Sequence, residues 1–143
     1  MGIFSLLRKK KTLREDIDIA SSWLIEAMKS SGYILDYSID SIKEIERFFN
    51  ENMESGKPKE NGLLYDGLGK KMFAIGSYIS MVLYKNHEWE IITNDKDPEG
   101  EINIELKKNG NTIFPVQKTM KRFKNGQEDN LYSYIRIIEN ESI

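Results

Sequence analysis

The sequence predicts a single α+β domain, with helices packed on a three- to four-stranded antiparallel meander in the order α-(β)-α-α-β-β-β-α-α. Three observations carry that prediction. Apolar residues recur every three or four positions between Leu13 and Leu83. The period switches to two after His87, around an Asn109-Gly110 turn. Helical spacing then returns behind Pro115. No internal repeat and no alternation of strands with crossover helices runs through the chain, which disfavours a solenoid or a parallel sheet.

The first helix starts at a capping box, Thr12 with Glu15, followed by Asp16 and Asp18, and stops at Gly32. Its stripe is Leu13, Ile17, Ala20, Leu24, Ala27 and Met28, with Trp23 beside it. Tyr33 to Tyr37 is short enough to be a strand or an extended connector. A second capping box, Ser41 with Glu44, opens a helix that buries Ile42, Ile45, Phe48, Phe49 and Met53, and residues 52–62, with Ser55-Gly56-Lys57-Pro58, form a loop. Met72 to Tyr84 carries no charge but has only 13 residues, short of the roughly 20 that cross a bilayer. Leu68, Met72, Ile75 and Ile79 keep helical spacing there, so the segment reads as a buried central helix. Gly76 and Ser80 form a small-residue face for close packing.

Three strands are expected next: Glu88 to Thr93, the alternating Ile102, Ile104 and Leu106, and Thr112 to Phe114 behind a type I′ turn at Asn109-Gly110. Pro115 opens a short helix with Val116, Met120 and Phe123 on its inner side, ended by Gly126. Glu128 and Asp129 start the last helix, striped by Leu131, Tyr134, Ile135 and Ile138. The domain spans 12–143, behind an apolar and basic segment, 1–11.

Composition narrows the chemistry. The 143 residues are 39% apolar and 31% charged with a net charge of −2, which fits one globular domain. Without cysteine there is no thiol catalysis, disulfide or thiolate metal site, and one histidine cannot build a multi-histidine centre. No cofactor is expected. The N-terminus places Met1, Ile3, Phe4, Leu6 and Leu7 before Arg8 to Lys11, the reverse of an export signal, so a cytoplasmic location is expected. Leu6 stands where a myristoylation motif needs Ser or Thr, which leaves weak contact of residues 1–11 with an anionic membrane surface as an option beside the leading one, a frayed or docked terminus.

Two clusters imitate binding motifs. Residues 95–106 have acidic side chains at alternate positions and a central Gly100, like a calcium loop, but Leu106 replaces the bidentate carboxylate and strands replace the flanking helices; no metal site is expected. Lys118, Lys121, Arg122 and Lys124 crowd one short helix, on the side opposite Val116, Met120 and Phe123. That pattern is ordinary amphipathicity in a slightly acidic chain, so weak nucleic-acid or phosphate binding through 118–124 is an alternative rather than the leading reading. Glu88 and Glu90 share a strand face next to His87, which makes a small hydrolase the other alternative. Neither a nucleophile elbow nor a complete phosphate loop accompanies them.

The run FPVQKTMKRFKNGQEDNLYSY from Phe114 to Tyr134, preceded by Gly76-Ser77-Tyr78 and Trp89, resembles a small uncharacterised bacterial family, a domain of unknown function. The resemblance covers roughly the C-terminal half. It implies a cytosolic single domain, of a kind that includes toxin-immunity and other partner-binding proteins, and brings no catalytic residue with it. Aromatic and arginine side chains are the commonest binding anchors. The expectation is therefore a non-enzymatic protein-binding domain with Tyr78, Trp89, Arg122 and Tyr132 as contact candidates.

Overall fold

The computed structural model describes residues 11–141, so the proposed membrane contact of the N-terminal segment falls, but for Lys11, outside the described residues. The described residues form an α+β fold of five α-helices and two small antiparallel sheets.

Helix α1 (Leu13–Ser30) begins at the expected capping box: the Glu15 amide donates to Thr12 Oγ1 at 3.2 Å, and the Thr12 amide donates to Glu15 Oε1 at 3.1 Å. Behind Gly32, at φ 91°, Tyr33 to Asp36 run as an extended connector without a strand partner; Tyr33 and Leu35 point inward. Helix α2 (Ile42–Asn52) starts differently from expectation. A 3₁₀ turn, Ile39–Ser41, leads into it, and Ser38 rather than Ser41 supplies the capping oxygen, accepting from the Ser41 amide at 3.1 Å. Ser41 is already helical, and Glu44 is taken up by Arg47 and by the Ile34 amide. Within the expected loop, β1 (Met53–Glu54) and β2 (Lys57–Pro58) make a small ladder.

The uncharged segment lies within a long helix, α3 (Leu68–His87), buried on every side from Ala74 to Leu83. Helix α1 packs along it, and so does α4 (Pro115–Asn125). Gly76 is where α4 comes closest. A Cβ there would lie 2.6 Å from Val116 Cγ2 and 2.8 Å from Val116 Cα, so only glycine lets the two backbones meet. Pro115 occupies the first turn of α4, where its missing amide leaves no intrahelical bond unmade.

Strands β3 (Glu90–Ile92), β4 (Glu105–Lys108) and β5 (Asn111–Ile113) form the meander in that order. It is shorter than the alternation suggested, because Ile102 sits in turns and pairing begins at Glu105. Asn109 and Gly110 both take positive φ, 50° and 82°, as a type I′ hairpin needs. The chain closes through a 3₁₀ turn, Gly126–Asp129, into α5 (Leu131–Glu141). Glu128 and Asp129 thus precede the last helix instead of starting it. Asn130 caps it, its Oδ1 accepting from the Ser133 amide at 2.9 Å. Among the described residues no helix is long and apolar enough to cross a membrane.

Helix α4 is rotated relative to the sequence reading. Pro115, Val116, Thr119 and Arg122 face inward, whereas Met120 is 43% exposed and Phe123 half-buried. Two contacts fix that rotation: Val116 against Gly76, and Arg122 against Glu46 of α2.

Candidate functional site: an apolar groove beside α4

Rotating α4 inward at Arg122 turns Met120 and Phe123 to its flank. There they meet Leu68, Met72 and Phe73 at the start of α3 and line a groove of about 870 Å³. Met72 and Val116 are its buried floor; Leu68, Phe73, Phe123 and Met120 are its partly exposed walls. Gly69 adds no side chain to the α3 wall, and Gly56 of the β1–β2 turn closes one side. At the other end Gln117 is held in place, its Nε2 donating to the Ile102 carbonyl at 3.3 Å and to Asn103 Oδ1 at 3.1 Å. Glu101 lies at that end, and Lys121 and Lys124 stand along the α4 rim. Both lysines are exposed and make no ion pair or hydrogen bond among the described residues.

The other basic residues of α4 are occupied. Lys118 lies 3.8 Å from Asp129 Oδ1, with its ammonium 3.9 Å from the centre of the Tyr134 ring. Arg122 is 3% exposed: its Nε donates to Glu46 Oε1 at 2.8 Å, its Nη2 donates to Asn50 Oδ1 at 3.0 Å, and its guanidinium lies over Phe49. The second oxygen of Glu46 accepts the Leu131 amide at 2.7 Å, so this buried carboxylate also caps α5. The four cations at 118–124 therefore do not form one outward patch.

Three of the four expected contact residues are interior, which corrects their assignment. Arg122 holds α2, α4 and α5 together. Tyr78 is fully buried in α3; its hydroxyl accepts the Tyr37 amide at 2.7 Å and meets Ser41 Oγ at 2.6 Å, fastening the 33–41 connector. Burial raises the Tyr78 phenol above its ordinary pKa. Trp89 is 1% exposed and its indole N–H donates to Glu139 Oε2 at 3.0 Å. A side chain so enclosed has no surface to give a partner. Tyr132 alone stays at the surface, half-buried, donating to Asp40 Oδ1 at 3.2 Å with Lys43 over its ring.

The hydrolase candidates are not brought together in one cleft. His87 Nδ1 lies 2.6 Å from Glu139 Oε1, and Lys108 Nζ lies 3.7 Å from Glu139 Oε2, so the Glu139 carboxylate ties α5 to the end of α3 and to the hairpin. Glu88 is the left-handed cap of α3, at φ 61°, rather than a strand residue. It and Glu90 border a shallow depression of about 410 Å³ with Lys107 and Lys108, and His87 is not part of its lining. In the acidic loop, Asp95 Oδ1 accepts the Leu13 amide at 2.7 Å and so caps α1, while Asp97 accepts from Glu99 and Asn103. Those bonds hold the Asp97 carboxyl below its ordinary pKa, the Asn103 amide contributing most. Among the described residues no cluster of three or more carboxylates or imidazoles is placed to hold a metal ion.

The groove itself escaped the sequence reading, which took Met120 and Phe123 for core; Phe123 does pack against the core, half-buried, but Met120 does not. One signal was present: Glu46 falls on the apolar stripe of α2, between Ile42, Ile45 and Phe49, and an acid in that position calls for a buried cation. Assigning Arg122 to it would have turned α4 and freed the Met120 edge. Comparison of the chain with protein-family models, with curated proteins and with solved structures finds no match.

Proposed function

We propose that this chain is a non-enzymatic partner-binding protein whose recognition surface is the groove between α3 and α4, and that the occupant is an apolar segment of a protein partner. One observation carries the reading: an apolar groove of about 870 Å³ stays open beside the first turns of the central helix, whose middle, Ala74 to Leu83, is buried on every side. Its walls suit a peptide side. Met120 is unbranched and adaptable, and Phe73 and Phe123 offer flat apolar faces. A helix laying one stripe into such a groove is a recurrent recognition mode.

The test uses a neutral 16-residue helical peptide with leucines at i, i+3, i+4 and i+7, titrated into the protein with its methionine methyls labelled. The expected outcome is saturable binding that shifts the Met72 and Met120 methyls and is abolished by Met120→Asp at an unchanged melting temperature. An absence of saturable shifts, or binding indifferent to Met120→Asp, overturns the proposal.

A further inference from the structure

We infer that the partner segment is acidic, its carboxylates falling on Lys121 and Lys124; this rests on the groove being the recognition surface and adds the chemistry of what enters it. Within α4 the cations divide sharply. Lys118 has Asp129 and Arg122 has Glu46, but Lys121 and Lys124 face outward along the groove rim with no anionic partner among the described residues. They are three positions apart on one helix and hence neighbours on its surface, spaced to engage carboxylates one turn apart on an opposing helix. Among the described residues the only acid lining the groove is Glu101, at the Gln117 end. Lys124 lies seven positions beyond Gln117, or about 10 Å along the helix. The groove is therefore electrically polar along its length, positive beside Lys121 and Lys124 and negative at Glu101. An entering segment is oriented by that polarity, with its acidic end at the lysines and any basic end at Glu101. Apolar contact supplies the area, and the lysines supply selectivity and direction.

Three peptides separate the outcomes: the neutral leucine-striped peptide, the same peptide with two glutamates one turn apart beside the stripe, and a basic apolar peptide with this chain's own residues 1–11. At low salt the acidic peptide is expected to bind about tenfold more tightly than the neutral one, about threefold for each exposed pair. That advantage should vanish in 1 M salt, where charges are screened beyond about 3 Å. It should also vanish in Lys121→Gln/Lys124→Gln, read as the ratio of acidic to neutral peptide affinity within that variant. Equal affinity of the acidic and neutral peptides, or tighter binding of the basic one, overturns the acidic preference and leaves the groove standing. Failure of the neutral peptide to bind overturns the groove reading itself.

Discussion

Replacing Arg122 by methionine tests whether its guanidinium is a strut or a contact. The substitution keeps the apolar stem but leaves Glu46, whose side chain is 8% exposed, with the Leu131 amide as its remaining partner among the bonds described above, and leaves Asn50 without the Nη2 donor. Removing one member of a buried pair costs about 3–5 kcal/mol, since the orphaned carboxylate is still desolvated. For a chain of this length each kcal/mol lowers Tm by about 3 °C, so a fall of about 10 °C is expected. Glu46→Met on the same background removes the stranded charge and forfeits only the cap on Leu131, about 1 kcal/mol. The double variant should therefore be more stable than Arg122→Met alone by about 2–4 kcal/mol, the cost of the stranded charge less that of the cap. Urea unfolding followed by circular dichroism reads all four proteins. A loss below about 1 kcal/mol for Arg122→Met, the size of an exposed pair, would refute the buried-strut assignment.

Gly76→Ala should destabilise despite the helix propensity of alanine. The added carbon meets Val116 Cγ2 at 2.6 Å and Val116 backbone atoms at 2.8 and 2.9 Å. Overpacking of about 2 kcal/mol against a propensity gain of about 1 leaves a net loss of about 1 kcal/mol. Because Val116 also lines the groove, the neutral peptide should bind more weakly; an unchanged Tm and affinity would contradict the close approach of α3 and α4. Tyr78→Phe strips the acceptor from the Tyr37 amide and one of two partners from the Ser41 hydroxyl, which keeps the Ser38 carbonyl, at a cost of about 1–3 kcal/mol near neutral pH. The same residue governs the alkaline limb. Its pKa in the fold is raised by burial, so its contribution is complete below the unfolded value of 10.0 and is lost as pH climbs through the folded one. Thermal melts between pH 8 and pH 11 should fall less steeply for Tyr78→Phe, with Tyr33, which burial and Glu51 also raise, contributing to the slope that remains. Parallel slopes would refute this.

Local signals were the legible part of the fold. The Thr12–Glu15 box, the Asn109-Gly110 turn and Pro115 each depend on atoms within a few residues, and the structure has all three. Gly76 was legible as a close-packing point because a missing side chain in an uncharged helix has few other uses. What misled was choosing the inner face of α4 by hydrophobicity alone. Met120 and Phe123 are more apolar than Arg122, but Arg122 answers a carboxylate 76 positions away, and only the tertiary pairing decides which side of an 11-residue helix turns in. The same reasoning applies to Trp89 and Tyr78. Their aromatic bodies looked like anchors for a partner, whereas Glu139 and the 37–41 connector supply the polar contacts that let them be buried. Ser41 was misplaced because a capping box and the end of a 3₁₀ turn share the same residues, and only Ser38 distinguishes them.

The rotation of α4 is the claim from which the groove and its acidic partner both follow, and one spectrum addresses it. A soluble gadolinium chelate added to protein with labelled methionine methyls and arginine side chains relaxes nuclei in proportion to their approach to solvent. Strong broadening of the Met120 methyl, with the Met72 methyl and the Arg122 Nε–H signal left sharp, is the expected result. A shielded Met120 beside a broadened Arg122 would contradict the rotation and close the groove.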